Sequence, residues 1–425
     1  MFMKIVWVSN ILIKNAHEKI YNRFGNGVWI ESLLDKVKEN KDNHYFIITT
    51  HHIKQEIAIE ADNVTYVIAP LGYAKKYKKG NRKNLKYWDH LLKNISPDLI
   101  HFWGTEYQMA NDILSVTSTP SVVYVQGIMY SIGKYYLSAL RISEVLNMIS
   151  LRDIIKFDTI INQRRDYYIS GAKNEREIII NSAHVIYESQ WCKSQFSFLS
   201  PKIHFHQMDL ILSNEFFEHK WAPTNNDNPI IMVNASGYPI KGLHNMLKAL
   251  KIVINQNPAI RLIIPGPILI RKGIVNYFKQ TGYSRFIKKL IRKLKIEQNI
   301  TFTGILTRTQ LAEKMMSCDI FVMCSAIENH SSSLKEAMIM GVPSITADVG
   351  GVREYVKDEI NALIYRYEDY YELAHQILRV LNNEELQTRL SSSCINDYRT
   401  SQLALDHRKG IEQIYSNILK VKDDE

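Results

Sequence analysis

Cysteine is scarce in this chain of 425 residues, and its pattern excludes a disulfide framework. There are four cysteines and no CxxC pair among them, so we expect a reducing compartment. Long hydrophobic runs are also missing: no stretch approaches the roughly 18 apolar residues that a membrane helix needs. The N-terminal apolar run is only about a strand long, too short for a signal peptide. We therefore expect a cytoplasmic protein, either free or peripheral on the cytosolic face of a membrane.

The common nucleotide and metal motifs are absent as well. The chain contains no GxGxxG after a strand, no GxxxxGK[ST], no DxD and no HExxH. His204 and His206 share one face of a candidate strand, with Asp209 nearby. This trio could bind a metal, but solvated or hydrogen-bonded histidines suit the pattern better. We therefore expect no metal site.

Short apolar runs alternate with helical periods along the whole chain. Continuous apolar runs of four to six residues are typical of strands buried on both faces, as in parallel sheets. This alternation predicts an α/β fold with doubly wound sheets. The runs are Ile5–Val8, Tyr45–Thr49, Val64–Ala69, Leu99–Phe102, Val122–Val125, Ile230–Val233, Leu262–Pro265, Ile320–Cys324 and Ser344–Ala347.

A polar segment with two prolines, residues 221–229, is the best candidate for a linker. We therefore predict an N-terminal domain over residues 1–215 and a C-terminal domain over residues 225–402. A last helix, about residues 403–425, is expected to pack back on the first domain. Residues 130–177 are read as helices of the first domain, in which Ile142, Val145, Leu146 and Ile149 have the spacing of a buried helix face.

The most informative stretch runs from Ser325 to Glu354. A buried strand leads into a polar loop, and Ser331, Ser332 and Ser333 can cap a helix that begins near Leu334. A helix N-terminus attracts phosphate through its free N–H groups and its dipole. Glu328 and Glu336 flank this site and would repel an anion, so we expect them to contact neutral sugar hydroxyls. The same pattern would also suit a capped helix with two solvated glutamates.

These residues resemble the retaining glycosyltransferases of the GT-B fold, most closely family 4. Glu328 and Glu336 match the E-x7-E element of that family, and the run that follows matches as far as Glu354. The agreement in order and spacing covers roughly residues 230–365. The first half is less similar and looks most like bacterial surface-polysaccharide members. Further matching elements are Lys241-Gly242, Pro265-Gly266, Phe302-Thr303-Gly304, Gly25-Asn26-Gly27, Pro97–His101 and Val122–Gly127.

The resemblance implies two Rossmann-like domains that face each other across a cleft, and it assigns a role to individual residues. Glu336 would hold the ribose of a nucleotide, and Glu328 would contact the donor sugar. Lys241 would neutralise the departing diphosphate, so Glu328 and Lys241 are the expected catalytic residues. The remaining donor-site residues are expected to be Gly27, Ser236, Gly304, His330, Ser331, Ser332 and Ser333, with His101 and Gln126 on the acceptor side.

The resemblance further implies the reaction. A sugar would move from a UDP- or GDP-linked donor to a hydroxyl of a glycan or polyprenyl-linked acceptor, with retention at the anomeric carbon and without a metal or other cofactor. Ser236 stands where many members have Arg, and Arg271, Arg308 or Arg353 could supply that charge. Gln126 stands where many have His. Two alternatives remain: another GT-B enzyme, such as a nucleotide-sugar epimerase or a sugar phosphorylase, and a non-enzymatic binder of anionic polymers.

The net charge of +10 is concentrated in two segments, residues 75–86 and residues 271–295. Tyr77, Tyr87 and Trp88 lie in or beside the first segment. Each segment could be an ordinary solvated face. Alternatively, the first could contact an anionic membrane or a lipid diphosphate, with the aromatic side chains at the headgroup level. No nucleic-acid motif accompanies the charge, so we expect no nucleic-acid partner.

Overall fold

A computed structural model of the chain describes residues 2–21, 28–71, 77, 80–223, 228–235, 237–267 and 280–423. Gly27, Ser236 and Arg271 lie outside the described residues, as do most basic residues of the first charged segment. The chain forms two compact units, which differ in part from the predicted domains. Unit 1 comprises Met1–Tyr130, Tyr167–Ile211 and Asp406–Glu425, and unit 2 comprises Ser131–Asp166 and Leu212–Leu405.

Strands and helices alternate along both units, as the apolar runs predict. The strands are β1 (Met3–Ser9), β2 (Asn43–Thr50), β3 (Ile57–Ala61), β4 (Val64–Ala69), β5 (Leu99–Trp103), β6 (Ser121–Tyr124), β7 (Ala183–Tyr187), β8 (His204–Gln207), β9 (Ile230–Val233), β10 (Arg261–Pro265), β11 (Ile300–Gly304), β12 (Ile320–Met323), β13 (Ser344–Ala347) and β14 (Leu363–Tyr365). The α-helices are α1 (Lys14–Tyr21), α2 (Val28–Val37), α3 (Arg82–Ile95), α4 (Met109–Leu114), α5 (Met129–Tyr135), α6 (Ile142–Leu146), α7 (Leu151–Ile155), α8 (Ile160–Arg165), α9 (Ala172–Ser182), α10 (Gln190–Phe196), α11 (Asn214–Phe217), α12 (Leu243–Gln256), α13 (Gly282–Leu294), α14 (Arg308–Met316), α15 (Ser332–Met340), α16 (Tyr370–Leu381), α17 (Glu384–Ser393), α18 (Thr400–Leu403) and α19 (His407–Asp423).

Each unit is built on its own twisted sheet. The sheet of unit 1 has the order β3-β4-β2-β1-β5-β6-β7-β8, and only β3 is antiparallel to its neighbour. The sheet of unit 2 has the order β11-β10-β9-β12-β13-β14, with all pairs parallel. Central strands such as β5 and β12 are buried along their whole length, which explains their uninterrupted apolar sequences. The α/β, doubly wound fold predicted for both halves is confirmed.

The C-terminal helix α19 packs on the sheet of unit 1 through a buried tyrosine. The hydroxyl of Tyr415 accepts a hydrogen bond from Trp7 Nε1 at 3.0 Å and lies 2.6 Å from His101 Nδ1. The indole N–H can only donate, so the Tyr415 oxygen is the acceptor in that bond. This contact ties the last helix of the chain to β1 and β5 of the same unit.

Residues 131–166 differ from the prediction, because they belong to unit 2 although the chain around them belongs to unit 1. Their helices are short, and only part of the expected helix face is buried. Val145 is buried, whereas Ile142 and Leu146 are exposed. The segment is fixed to unit 2 by Asp153, whose carboxylate accepts a hydrogen bond from Gly282 N at 2.7 Å.

The division between the units falls at Ile211 and Leu212, before the predicted linker. Trp221, the first residue of that linker, is buried in unit 2, where its indole donates to Cys318 O at 2.8 Å. Trp88 in the first basic segment is also fully buried, so the prediction that it reaches a headgroup layer is wrong. No helix in the described ranges is long and apolar enough to span a bilayer.

Candidate donor-binding site in unit 2

Lys241 ends a short 3₁₀ turn, Pro239–Lys241, between β9 and α12. Main-chain hydrogen bonding fixes this turn to the end of β12, because Ala326 N donates to Ile240 O at 2.7 Å. Gly242 follows with φ +73°, and a Cβ there would lie 1.7 Å from the Cys324 carbonyl oxygen. Only glycine permits this close approach. The turn therefore places the Lys241 side chain beside the loop that follows β12.

In that loop, Lys241 meets Glu328, 87 residues further along the chain. Lys241 Nζ lies 2.6 Å from Glu328 Oε1, and the Glu328 side chain is 15% exposed. The backbone of Glu328 is also held, because Gly351 N donates to Glu328 O at 3.2 Å. A Cβ on Gly350 would lie 1.8 Å from the same oxygen, so the two glycines allow a tight backbone contact. The structure thus brings the two predicted catalytic residues into direct contact.

Helix α15 begins just after this loop, two residues earlier than predicted. Ser331 is its N-cap, and its hydroxyl accepts a hydrogen bond from Leu334 N at 3.4 Å. Ser331 N donates to the hydroxyl of Tyr355 at 3.3 Å. Ser332 and Ser333 therefore form the first turn, where backbone N–H groups have no acceptor within the helix. The backbone N–H groups of Ser332 and Ser333 are therefore available to bind an anion.

Glu336 lies one turn into α15, with its side chain partly exposed but its carboxyl closely surrounded by protein. This burial raises the pKa of Glu336 to about 8; the positive charge of Arg308 opposes the rise and Glu215 adds to it. Arg308 itself lies 3.9 Å from Glu215. At neutral pH, Glu336 therefore carries its proton predominantly. A neutral carboxyl can both donate and accept a hydrogen bond, and sugar hydroxyls can take either role.

The two glutamates thus avoid repelling an anion in different ways. The charge of Glu328 is balanced by Lys241, and Glu336 keeps its proton. The alternative, in which both glutamates are freely solvated, does not agree with the ion pair of Glu328 or with the raised pKa of Glu336. Of the arginines expected to replace the missing cation, Arg353 pairs with Asp348, whereas Arg308 lies near Glu336.

A buried lysine is the feature that sequence reasoning missed. Lys335 is 1% exposed, and its Nζ lies 2.9 Å from His330 Nδ1. Since an ammonium can only donate, Nδ1 of His330 must accept, and the imidazole proton resides on Nε2. Burial, with the nearby charge of Lys335, lowers the pKa of His330 to about 3. His330 therefore remains a neutral Nε2–H donor throughout the physiological pH range.

The glycine turns at the ends of β10 and β11 pair with each other. Gly266 N donates to Gly304 O at 2.9 Å, and both residues have positive φ. Gly304 therefore lies at the carboxyl edge of the sheet, as the resemblance implies. Gly27 and Ser236 remain predictions, because both lie outside the described residues.

The two acceptor-side predictions have different outcomes. Gln126 follows β6 at the carboxyl edge of the unit 1 sheet and is half-buried. His101 is completely buried among aromatic side chains and hydrogen-bonded to Tyr415, so the prediction that it reaches an acceptor is wrong. Burial lowers its pKa to about 3. The same PDxxH motif instead supplies a core contact for the C-terminal helix.

His204 and His206 lie on the edge strand β8 beside His184, with His184 Nδ1 3.1 Å from His206 Nε2. The rings stack against one another. Within the part of the chain that the structure describes, no group of three or more His, Cys, Asp or Glu residues could hold a metal ion.

Residues 214–396 match the family model of "Glycosyl transferases group 1". Among curated proteins, the chain is 22% identical over 200 residues to the putative glycosyltransferase YtcC of Bacillus subtilis, covering 46% of this chain and 47% of that protein. It is 22% identical over 212 residues to the capsular polysaccharide biosynthesis glycosyltransferase CapM of Staphylococcus aureus, covering 49% and 51%. The aligned region thus spans about half the length of these relatives.

Two solved structures are similar over nearly the whole chain. Sucrose-phosphate synthase from Thermosynechococcus elongatus superimposes with a TM-score of 0.71 and 16% identity, covering 99% of this chain and 100% of that one. Anabaena HepE in complex with UDP and glucose gives 0.64 and 16% identity, covering 98% and 99%. The fold is therefore GT-B, with two Rossmann-like domains.

Proposed function

We propose that the protein is a glycosyltransferase that moves a sugar from a UDP- or GDP-linked donor to a hydroxyl of a glycan or polyprenyl-linked acceptor. The observation that carries the proposal is the ion pair of Lys241 and Glu328 beside the N-terminus of α15. It combines a cation, a sugar-binding carboxylate and an anion-binding helix end at one edge of the sheet. Two similar proteins agree with this proposal: CapM is a capsular polysaccharide biosynthesis glycosyltransferase, and the HepE structure is a complex with UDP and glucose.

In the proposed reaction, the bond from the anomeric carbon to the diphosphate breaks and a bond to the acceptor oxygen forms. The acceptor hydroxyl releases its proton to solvent, and the nucleoside diphosphate departs with additional negative charge. The Lys241 ammonium and the N–H groups of Ser332 and Ser333 would stabilise that negative charge. These groups are already in place before the reaction, so the stabilisation is preorganised. Because they supply positive charge at the leaving group, we propose that no metal is required.

The donor would lie along α15 from its N-terminus to Glu336. The ribose hydroxyls would bind the Glu336 carboxyl, the diphosphate the first turn, and the sugar Glu328. The neutral His330 Nε2–H would add a hydrogen-bond donor to the site without adding charge. Retention of configuration and membership of family 4 are proposed from the E-x7-E resemblance, and Gln126 is proposed for the acceptor side.

A panel of UDP- and GDP-sugars, incubated with the protein and undecaprenyl-linked glycan acceptors, tests the proposal. We expect nucleoside diphosphate release coupled to glycan extension, with the donor's anomeric configuration kept in the product by proton NMR. A product formed without an acceptor would instead favour an epimerase. A requirement for inorganic phosphate would favour a phosphorylase. No turnover together with salt-sensitive binding of polyanions would favour the non-enzymatic alternative.

A further inference from the structure

Residues 131–166 of unit 2 carry an unusual concentration of exposed apolar side chains. Within the described residues, seven large hydrophobic side chains of this segment are exposed. Monomeric proteins expose single apolar residues routinely, but a local group of them indicates an interaction site. The seven are Tyr135, Ile142, Leu146, Ile154, Ile155, Phe157 and Ile161.

The densest part is the turn between α7 and α8, which we name the 154–161 turn. Ile154, Ile155, Phe157 and Ile161 are exposed there within eight residues, and Phe157 is 82% exposed. All four lie where one short helix, α7, ends and the next, α8, begins. The 154–161 turn therefore presents a compact apolar tip.

Phe157 occupies a backbone position that normally selects glycine. Its φ is +52°, and it follows the last turn of α7. The N–H of Asp158 donates to Asp153 O at 2.8 Å, which is the six-residue closure of a helix end whose left-handed position is usually glycine. A bulky residue there is unfavourable for the fold itself. The Phe157 ring is also largely exposed, so it contributes little to the packing of the fold.

The base of the turn is firmly held, although its tip is exposed. Asp153 is buried and accepts a hydrogen bond from Gly282 N. Asn162 Nδ2 donates to Phe157 O at 3.2 Å, and Gln163 Nε2 donates to Asp158 O at 3.0 Å. Because the backbone is fixed from behind, the apolar tip needs little ordering on contact with a partner.

Charge indicates which partner fits. Lys156 is exposed between Ile155 and Phe157. Lysine is depleted from the cores of protein interfaces, whereas at a bilayer its stem lies among the acyl chains and its ammonium reaches the headgroups. Asp158 in the same turn is half-buried, and its carboxylate lies 3.8 Å from the Arg152 guanidinium. Of the charged residues of 131–166 that are exposed, five are basic and one is acidic. They are Lys134, Arg141, Lys156, Arg164, Arg165 and Asp166.

We propose that the 154–161 turn is a lipid-docking site that inserts Phe157 and its isoleucine neighbours into the headgroup region of an anionic bilayer. Basic side chains beside apolar ones are the composition that binds such surfaces. The proposal rests on the polyprenyl-linked acceptor of the proposed function, and it places the membrane-binding surface in unit 2 rather than in the basic segment of residues 75–86. A polyprenyl-linked acceptor would be found at such a bilayer.

Vesicle flotation of the full chain tests the proposal, with vesicles of phosphatidylcholine alone or with about one-third phosphatidylglycerol. We expect wild type to float only with the anionic vesicles. Phe157→Gly suits the left-handed backbone, so the fold is kept, but binding should fall about tenfold or more. The matched control is Phe198→Gly, because Phe198 is 94% exposed in unit 1. Equal binding of wild type and Phe157→Gly would overturn the proposal.

A direct contact measurement completes the test. All four native cysteines are buried, so a single Ile161→Cys variant can be labelled selectively with an environment-sensitive fluorophore. We expect a blue shift with anionic vesicles, and none for a label at Phe198→Cys. A blue shift of the Ile161→Cys label without vesicles that grows with protein concentration would show that a second copy covers the turn, and would refute lipid docking. Calorimetry with nucleotide sugars separates lipid docking from the proposed function. Phe157→Gly should bind the nucleotide sugar like wild type. If neither protein binds a nucleotide sugar, only the proposed function is contradicted.

Discussion

Replacing Glu336 by Gln tests the electrostatic environment of the candidate site. The folded protein holds the pKa of Glu336 at about 8, against an ordinary value of 4.5, so the folded state binds a proton more tightly than the unfolded state. The resulting stability is fully present below about pH 4.5 and is lost as the pH rises through 8. Within this window the free energy of unfolding should fall by up to about 1.4 kcal/mol for each pH unit.

From pH 5.5 to pH 8, the upper limit is therefore about 3 kcal/mol, and we expect about 1 to 2 kcal/mol because the side chain keeps partial contact with solvent. Glutamine has the same shape and cannot ionise, so Glu336→Gln should lose this part of the pH dependence. Urea unfolding of wild type and variant at several pH values, followed by circular dichroism, measures the difference. Glu313→Gln, at an exposed position on α14, is the matched control. Parallel pH profiles for wild type and Glu336→Gln would refute the reasoning.

Three further substitutions give separate tests. Lys241→Met should weaken UDP binding about tenfold or more, since it removes the cation beside the N-terminus of α15. Calorimetry measures the affinity, and the control Lys314→Met, at an exposed position on α14, should bind UDP like wild type. Lys335→Met should abolish the preference of His330 for the Nε2–H tautomer, which nitrogen-15 NMR of the imidazole reports; an unchanged tautomer would contradict the assigned contact. Tyr415→Phe should lower the free energy of unfolding of unit 1 by about 1–3 kcal/mol, because two buried partners each lose a hydrogen bond. Unfolding followed by tryptophan fluorescence measures this. An unchanged free energy of unfolding would contradict the importance of the contact.

The fold and the start of helix α15 were predictable from the sequence because both depend on strong local signals. Apolar runs of strand length predicted the parallel sheets. The capping serines located the start of α15 to within two residues. The roles of Lys241 and Glu328 came from the family resemblance, whereas their direct contact beyond the paired strands β9 and β12 was not predicted.

Other features depend on tertiary burial that no local pattern shows. Lys335 looks like a surface lysine, but α15 is nearly enclosed by unit 2, so almost every side chain on it is buried. Conversely, Ile142 and Leu146 have the spacing of a buried helix face. However, Val145 is the only buried residue of the five-residue helix α6. The burial of His101 required knowledge that α19 returns to the unit 1 sheet.

The central claim is that the Lys241–Glu328 site and the N-terminus of α15 bind a nucleotide sugar. Calorimetric titration of the full chain with a panel of UDP- and GDP-sugars tests it most directly, with Glu336→Ala measured beside wild type. The account predicts one-to-one binding of at least one of these donors to wild type. It also predicts a loss of about tenfold or more in affinity for the variant, because the proposed hydrogen-bonding partner of the ribose is removed. Absence of binding by wild type across the panel, or equal binding by the variant, would contradict the account.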